Sequence, residues 1–321
     1  MILTVTLNPL LEKKLTYNEV SFNKVNRNGF SETFPGGKGI NVSRQLNLFG
    51  LENIALTFLG GTTGKIYKDL LNKSKINNVY ISTDSETRAG YVIIDKTNKA
   101  VTSFFEPDPE ITPQEAESLL TKADKMIQTA EIVVLSGSSP SINTDYIFPE
   151  LISLCNKYDK VSFCDTYGRH LQNCIDASPS MMHNNLHEIE NSLNKELKTD
   201  DDKFSFLDYL YSKGIKRAAL TNGNEPGFIS NFDFHFKVTS PKVEELDATG
   251  SGDAFTSGLV YGYHNNLSFE ETVQYAAAMG ATNAASYETC NVSPEELQKY
   301  LTQISVEPIG KKMKIVDVTP R

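Results

Sequence analysis

Short apolar runs and amphipathic stretches alternate along most of the chain. The apolar runs have the length of buried strands, and the amphipathic stretches repeat their apolar positions at helical spacing. Strands are predicted at 1–7, 54–59, 79–82, 132–135, 161–165, near Met181, at 218–221 and around Phe228 and Phe234. Helices are predicted at 40–49, 66–71, 112–127, 145–158, 186–193, 204–211, 254–263, 269–285 and 294–301.

This alternation predicts an α/β fold. Repeated strand–helix units with right-handed crossovers stack as a mainly parallel central sheet with helices on both faces. Ligands of such sheets bind at the carboxyl ends of the strands. We therefore expect the functional residues in the turns that follow the strands.

Two pieces of the chain break this rhythm. Positions of about 10–35 show two-residue alternation without a helical period, and 87–107 contains two predicted strands, 91–95 and 100–105. We expect the two pieces to form a small β-sheet that covers the main body as a lid. Without a Pro- or Gly-rich linker, residues 1–321 are predicted to form one domain. The alternative is that these strands lie at the edge of the main sheet.

Composition and charge narrow the class of partner. A hydrophobic content of 39% is enough for a sizeable core, and the net charge of −9 argues against nucleic acid or an anionic membrane as a partner. The four cysteines include no C-x-x-C pair and are expected to be reduced thiols. The N-terminal residues look like a first strand and not like a signal peptide, so the protein is expected to be cytoplasmic.

The stretch from Asp247 to Phe255 carries the strongest candidate chemistry. Gly250 and Gly252 allow the backbone to curl at the start of a predicted helix, where several N–H groups and the positive helix end favour an anion. Asp253 stands beside them, and a carboxylate there can accept a proton from a hydroxyl that attacks a phosphate. The pattern favours phosphoryl transfer. The alternative is an ordinary helix start with an acid in its first turn.

Two further helix starts carry candidate ligand groups. Gly36–Asn41 places Lys38 and a closely approaching backbone where a hydroxylated or phosphorylated ligand could bind. Asn185 and Glu188 lie one turn apart, so they could orient a hydrated magnesium ion or could simply cap the helix. Arg88 and Arg27 could add positive charge, although either could be a solvated surface base.

Other glycine clusters do not fit nucleotide-binding motifs. In Gly60–Lys65 only three residues separate Gly60 from Gly64, and Ile66 stands where a phosphate loop needs Ser or Thr. Gly37-Lys38-Gly39 and Gly250-Ser251-Gly252 lack the third glycine of the dinucleotide fingerprint. These departures argue against a phosphate-loop protein and a dehydrogenase.

Taken together, the motifs resemble the ribokinase/PfkB family of sugar kinases, particularly its branch that acts on hexose phosphates. The resemblance spans essentially the whole chain, and its fragments occur in the order of that family. They are Thr6-Leu7-Asn8-Pro9, Gly36 to Val42, Thr87-Arg88, Glu106-Pro107, Ser136-Gly137-Ser138, Asp165-Thr166, Asn185-x-x-Glu188, Thr221-Asn222-Gly223 and Asp247 to Asp253.

The resemblance implies a ribokinase-like fold whose β lid covers the sugar and could form a homodimer. It makes Asp253 the general base and the amides of Gly250, Ser251 and Gly252 the anion hole. The residues implied to bind the sugar phosphate are Glu12, Gly37, Lys38, Asn41, Arg88, Ser138 and Arg27. The residues implied to bind ATP are Asn185, Glu188, Thr221, Gly223 and Asn283, with Mg²⁺ at the phosphates and Glu188 acting on it through water.

The sugar end departs from the family pattern. Glu12 replaces the usual Asp, and the extra methylene would displace a hydroxyl acceptor by more than a hydrogen bond tolerates. Gly90 and the segment Phe105 to Asp108 also differ. The resemblance implies fructose 1-phosphate as the acceptor, with tagatose 6-phosphate and fructose 6-phosphate as alternatives. A non-catalytic sensor of sugar phosphate or nucleotide stays open as a different class.

Overall fold

Ten strands form the larger of two sheets in the computed structural model, which describes residues 1–309. Positions 310–321 of the predicted domain lie outside the described residues. In spatial order the strands are β14 (Ser305–Ile309), β13 (Phe234–Thr239), β12 (Glu225–Asn231), β11 (Arg217–Asn222), β10 (Met181–Asn185), β9 (Val161–Asp165), β8 (Ile132–Ser136), β1 (Ile2–Thr6), β4 (Asn53–Gly60) and β5 (Asn78–Thr83).

The seven strands from β11 to β5 are parallel to one another, and β12, β13 and β14 continue the sheet with antiparallel pairing. The connecting helices are α1 (Lys38–Leu48), α2 (Gly61–Lys73), α3 (Pro113–Thr129), α4 (Ile147–Lys157), α5 (Leu171–Asp176), α6 (Leu186–Leu193), α7 (Asp200–Ser212), α8 (Ser251–His264), α9 (Phe269–Ala284) and α10 (Pro294–Leu301). The ribokinase-like architecture expected from the sequence is confirmed.

Helices cover both faces of the large sheet. Neighbouring residues of β1 show this directly, because Ile2 belongs to the core that includes α8 and α9, whereas Leu3 belongs to the core beneath α3 and α4. Opposite directions for successive side chains are what strand geometry dictates. Burial on both faces explains why the parallel strands appear in the sequence as continuous apolar runs.

The smaller sheet contains four strands in the order β3 (Phe30–Gly36), β2 (Leu10–Tyr17), β6 (Ala89–Asp95) and β7 (Ala100–Phe105). β2 is antiparallel to β3 and parallel to β6, and β6 turns back into β7. The two pieces that lack helical periodicity therefore pair with each other. The alternative of edge strands on the main sheet is wrong.

Some elements differ from the sequence predictions. Helix α7 begins at Asp200, four positions before the predicted 204, because Thr199 and Asp202 form a capping box. Helix α5 and the edge strand β14 were not predicted. The first is only six residues long, and the second contains Pro308, which an edge strand tolerates. Within residues 1–309 no helix has the length and apolar character needed to cross a bilayer.

Candidate active site

The candidate site lies where parallel strands of the large sheet end and three helices begin. Asp165 is the last residue of β9, and Lys38, Glu188 and Asp253 lie in the first turns of α1, α6 and α8. Lys38 contacts Asp165 and Glu188, and Thr256 Oγ1 of α8 donates to Asp165 Oδ2 over 2.9 Å. The position agrees with the rule that ligands bind at the carboxyl edge of such a sheet.

The turn into α8 requires glycine at position 250. Gly250 has φ +79°, and a Cβ atom at this position would lie 2.3 Å from Thr289 Cγ2. The turn directs the chain into a helix of 14 residues that starts at Ser251. The first N–H groups of a helix have no partner within it and can bind an anion beside Asp253. The N–H of Ser251 already donates to the carbonyl of Ala248 over 3.1 Å, so an anion would have to share this donor.

Asn283 supports this loop from below. Its Nδ2 donates to the carbonyl of Thr249 over 2.9 Å and to Ser251 Oγ over 3.1 Å, while its Oδ1 accepts from the N–H of Cys290. The side chain is completely buried. Two of these hydrogen bonds hold residues 249–252, here called the anion loop, and Asn283 does not line the neighbouring cavity, so its contact with ATP stays a prediction.

Asp253 has the environment of a general base. The side chain is buried and accepts a hydrogen bond from Asn41 Nδ2 at 2.7 Å. Burial, reinforced by the nearby charges of Asp165 and Glu188, raises its pKa to about 7, although Lys38 and Asn41 act in the opposite direction. A carboxylate whose pKa lies near neutral pH can both accept and release a proton during turnover.

Lys38 lies between the two acids on the neighbouring strand end and helix. Its Nζ is 2.8 Å from Asp165 Oδ1 and 2.7 Å from Glu188 Oε1. Burial alone would lower the pKa of Lys38, but attraction to Asp165, Glu188 and Asp253 outweighs burial and raises it. Burial likewise opposes ionisation of Asp165, yet Lys38 and His183 hold the pKa of that carboxyl well below its usual range. Lys38 is therefore a permanent cation beside Asp253.

Asn185 and Glu188 cap helix α6, which is one of the two roles that the sequence left open. Glu188 N–H donates to Asn185 Oδ1 over 2.8 Å, and Asn185 N–H donates to Glu188 Oε2 over 3.2 Å. The pair is a capping box, and the second carboxylate oxygen of Glu188 faces Lys38. Among residues 1–309 no group of three or more His, Cys, Asp or Glu side chains could hold a metal. One or two carboxylates fit a magnesium ion that arrives on nucleotide phosphates and keeps most of its water.

A cavity of about 450 Å³ opens beside the anion loop. Asn185, Thr221 and Gly223 line it together with Ser251 and Gly252. Much of the remaining wall is apolar and comes from strands β12 and β13 and helices α8 and α9. The structure thus brings three of the predicted nucleotide residues to one cavity that ends at the anion loop.

Arg88 and Ser138 also share one cluster. Asp108 Oδ1 accepts from Arg88 Nη1 at 2.7 Å and from Asn8 Nδ2 at 2.9 Å. The same amide of Asn8 donates to Ser138 Oγ at 3.0 Å. A carboxylate of this chain thus contacts Arg88, one of the groups predicted to bind the substrate phosphate.

Glu12, Gly37 and Asn41 lie around the start of α1 on the side of the small sheet. Glu12 and Asn41 line one cavity of about 660 Å³. Gly37 has φ +116°, and a Cβ atom there would lie 3.0 Å from Thr6 Cγ2 and 3.4 Å from the Cα of Pro9. The backbone of the turn between β3 and α1 therefore packs closely against the end of β1 and the residue that precedes β2.

Arg27 is not brought to this cluster. It lies in the exposed loop between β2 and β3 and lines a different cavity of about 680 Å³ with Glu32 and Tyr287. The predicted grouping of Arg27 with Arg88 and Ser138 is therefore not seen in this structure. The sequence of this loop has no strand or helix periodicity, so the position of Arg27 could not be predicted from it.

Two residues of the site were not selected from the sequence. Asp165 was noted only as part of a motif, although its place at the end of a predicted strand was a usable signal. Arg44 Nη1 donates to Asn41 Oδ1 over 2.9 Å and to the carbonyl of Thr289 over 3.1 Å. Because Asn41 in turn donates to Asp253, Arg44 orients a direct hydrogen-bond partner of Asp253. Its spacing of three positions from Asn41 on one helix was a usable signal, whereas its contact with Thr289 is distant in the sequence and has none.

Comparison with known proteins agrees with the geometry. The model of the pfkB family of carbohydrate kinases matches residues 10–296. The chain is 28% identical to a tagatose-6-phosphate kinase from Staphylococcus epidermidis over 316 residues, which cover 95% of this chain and 99% of the relative. It is 29% identical to a 1-phosphofructokinase from Borreliella burgdorferi over 313 residues, which cover 96% of this chain and 99% of the relative.

A solved structure from Thermotoga maritima, described as a possible 1-phosphofructokinase, has a TM-score of 0.89 and 26% identity. The match covers 96% of this chain and 99% of that one. The family match spans far more than half of the sequence. The chain therefore belongs to the pfkB family of carbohydrate kinases.

Proposed function

We propose that the protein transfers the γ-phosphoryl group of ATP to a hydroxyl of a ketohexose phosphate, with fructose 1-phosphate as the first choice of acceptor. One observation carries the proposal: a buried carboxylate, Asp253, lies in the first turn of a helix that begins with a half-buried glycine anion loop, and a permanent cation, Lys38, lies beside it. These are the groups that phosphoryl transfer needs.

The reaction is proposed to run in one displacement. Asp253 accepts the proton of the substrate hydroxyl while the oxygen forms a bond to the γ-phosphorus of ATP. The bond between that phosphorus and the β,γ-bridging oxygen breaks, and ADP leaves. The amides of Gly250, Ser251 and Gly252 and the ammonium of Lys38 stabilise the negative charge that spreads over the transferred oxygens.

ATP is proposed to lie in the cavity lined by Asn185, Thr221 and Gly223, with its phosphates directed at Ser251 and Gly252. Magnesium, when bound, would neutralise phosphate charge, with Glu188 acting through water. Lys38 now forms ion pairs with Asp165 and Glu188, so arriving phosphates would compete for its ammonium. We therefore propose that Lys38 acts on the transferred group and not on the existing phosphate of the sugar.

The sugar phosphate is proposed to bind between the two sheets. Glu12, Gly37 and Asn41 would contact its hydroxyl groups, and Arg88 and Ser138 would contact its phosphate. The relatives named as 1-phosphofructokinase and tagatose-6-phosphate kinase both support a hexose phosphate as the acceptor. We propose that the four-stranded sheet acts as a lid on this site within a single domain.

Asp108 is predicted to weaken phosphate binding. Its carboxylate occupies Arg88 at 2.7 Å, so an incoming phosphate must displace it or share the guanidinium with it. In Asp108→Asn the shape is retained and the negative charge is lost. Because the pair is partly exposed, the KM for fructose 1-phosphate should fall about two- to fivefold with little change in kcat.

The matched control is Asp69→Asn, which removes the same charge from an exposed position of α2. It should leave the KM unchanged. A higher KM in Asp108→Asn would contradict the prediction, because it would mean that Asp108 contributes a favourable contact with the substrate.

The proposed activity is tested by ADP release across a panel of fructose 1-phosphate, tagatose 6-phosphate, fructose 6-phosphate and the unphosphorylated sugars. We expect acceptor-dependent ADP release with at least one hexose phosphate and much weaker release with free sugars. A protein that binds a panel member without any release of ADP would be a sensor and not a kinase.

We further propose that the small sheet forms a homodimer through its outer face. Tyr91 and Phe104 pair across β6 and β7 and are 37% and 59% exposed, and Phe22 and Val25 are more exposed still. Exposed apolar groups of this kind are typical of protein interfaces.

Sedimentation velocity should show a dimer that Phe104→Glu dissociates, whereas Phe232→Glu on the β12–β13 turn leaves it intact. A monomeric wild-type protein would contradict the proposal.

A further inference from the structure

A lysine of the small sheet is buried although the proposed reaction gives it no role. Lys14 in β2 is only 4% exposed, whereas its neighbour Lys13 points to the other face and lies over the ring of Tyr91. Lysine is almost never fully buried unless its charge is paired. The surroundings of Lys14 must therefore compensate for the loss of water.

Four oxygen atoms surround the Lys14 ammonium. Nζ donates to the carbonyl oxygen of Tyr287 over 2.8 Å and to Thr289 Oγ1 over 3.0 Å. Two carboxylate oxygens lie slightly further away, Glu12 Oε1 at 3.6 Å and Asp247 Oδ2 at 3.8 Å. We call these four groups the oxygen cage. Its two carboxylates, one carbonyl and one hydroxyl suit a small cation that donates hydrogen bonds.

The cage joins three separate parts of the chain. Glu12 belongs to the small sheet, Asp247 precedes the anion loop, and Tyr287 and Thr289 lie in the segment after α9. Asp247 Oδ1 accepts from the N–H of Thr249 over 2.9 Å, which shapes the turn toward Gly250. Its Oδ2 accepts no hydrogen bond within residues 1–309, although it is buried. That oxygen depends on the ammonium for compensation.

The cage is also in contact with the anion loop. The site of a Cβ atom on Gly250 would lie 2.3 Å from Thr289 Cγ2, so the backbone at Gly250 packs closely against the side chain of Thr289. The next residue, Cys290, donates its Sγ–H to the carbonyl of Gly250 over 3.3 Å. A shift of Thr289 would therefore move Gly250, and with it the amides that face the phosphoryl group.

We propose that Lys14 is a positioning residue for phosphoryl transfer. Its ammonium is a tethered cation that holds the anion loop in register with the small sheet, and thus with the sugar-binding side of the site. The kinetic part of this inference rests on the proposed function. Removal of the side chain to Cβ would leave a gap lined by the same four oxygens, which a free ammonium ion fits in charge and in hydrogen-bonding capacity.

The kinetic test compares Lys14→Ala with Lys13→Ala. Because small displacements of positioned groups slow catalysis strongly, kcat of Lys14→Ala should fall about ten- to hundredfold. Ammonium chloride should restore a large part of this loss. Tetramethylammonium chloride at equal ionic strength should not, because that ion is too large and has no N–H donor. Lys13→Ala should show neither the loss nor the response.

A thermal unfolding experiment tests the cage independently of activity. Ammonium chloride should raise the unfolding temperature of Lys14→Ala relative to tetramethylammonium chloride, and it should not do so for the wild-type protein. Lys14→Met fills the gap with an uncharged chain and should show no selective response to ammonium. If Lys14→Ala does not fold, Lys14→Gln keeps a donor without the charge and should fold with reduced kcat.

The outcomes separate the two proposals. Full kcat in Lys14→Ala, or in Lys14→Gln where that variant replaces it, would overturn the positioning role. The positioning role would also be overturned if Lys14→Ala folds but ammonium neither raises its kcat nor raises its unfolding temperature. If the wild-type protein phosphorylates no hexose phosphate, the proposed function fails, whereas selective stabilisation of Lys14→Ala by ammonium would still support the cage.

Discussion

Asp253→Asn should lower kcat with fructose 1-phosphate by about 10²- to 10⁴-fold while the protein stays folded. The amide has nearly the shape of the carboxylate, but it cannot accept the proton of the attacking hydroxyl. The loss should appear in kcat, measured by ADP release, because Asp253 acts in the chemical step. The affinity for ATP should change little.

The pH dependence provides a second test of the same group. Since the base must be ionised, kcat/KM of the wild-type protein should rise with pH through about 7, the pKa to which burial raises Asp253. The pKa of Asp253 in the folded state lies above its ordinary value of 3.8. Between pH 3.8 and about 7 the folded state therefore binds more protons than the unfolded state, and the protein loses stability as the pH rises through this range.

Asp253→Asn lacks this titration. Its unfolding temperature relative to wild type should therefore increase from about pH 4 to about pH 7 and then level off. Asn41 could continue to donate to the amide oxygen of the variant. Near-normal turnover in Asp253→Asn, or a wild-type pH profile without a rise near neutrality, would remove Asp253 from the role of base.

Gly250→Ala should have the second largest effect. A methyl group at this position meets Thr289 Cγ2, and the φ of +79° disfavours any residue with a Cβ. The anion loop must then shift, which should lower kcat about 10²-fold, as removal of one donor from a preorganised anion site does. Steady-state ADP release and thermal unfolding would measure the loss of rate and of stability.

The matched background is Thr289→Ser, which removes Cγ2 and keeps the hydroxyl that accepts from Lys14. Gly250→Ala in this background should recover part of the lost rate, because the clash is relieved and only the backbone strain persists. Equal losses in both backgrounds would show that contact with Thr289 does not set the loop position. Full activity of Gly250→Ala alone would argue against the anion hole itself.

Local patterns predicted the parts of the fold and site that local chemistry controls. The alternation of apolar strands and amphipathic helices predicted the mainly parallel sheet, because burial on both faces leaves a continuous apolar run. The glycines before Asp253 predicted a turn into a helix, and Gly250 has the left-handed conformation that such a turn needs. Asn185 and Glu188 predicted a helix start, and they form its capping box.

Contacts between distant parts of the chain could not be predicted in this way. Asn283 supports the anion loop because the end of α9 packs beneath it, and no spacing along the sequence indicates that contact. Arg44 and Lys14 reach Thr289 from a helix and from the small sheet. Arg27 shows the converse, since its charge suggested a phosphate ligand but an exposed loop carries it to another cavity.

Departures from the family pattern at the sugar end have a structural counterpart. The sequence drew attention to Asp108 as an unusual residue, and its carboxylate contacts Arg88. Glu12, longer by one methylene than the usual acid, contributes an oxygen to the cage around Lys14. Which hexose phosphate fits between these groups depends on distances of less than an ångström, and residue type alone does not determine such distances.

The most direct test of the account is a phosphorus NMR spectrum of the wild-type protein with ATP, magnesium and fructose 1-phosphate. We predict that the γ-phosphate signal of ATP disappears while a second sugar phosphomonoester and ADP appear in equal amounts. Conversion of the γ-phosphate to inorganic phosphate alone, or an unchanged spectrum with each of the three hexose phosphates, would contradict the assignment of Asp253 and its anion loop to phosphoryl transfer.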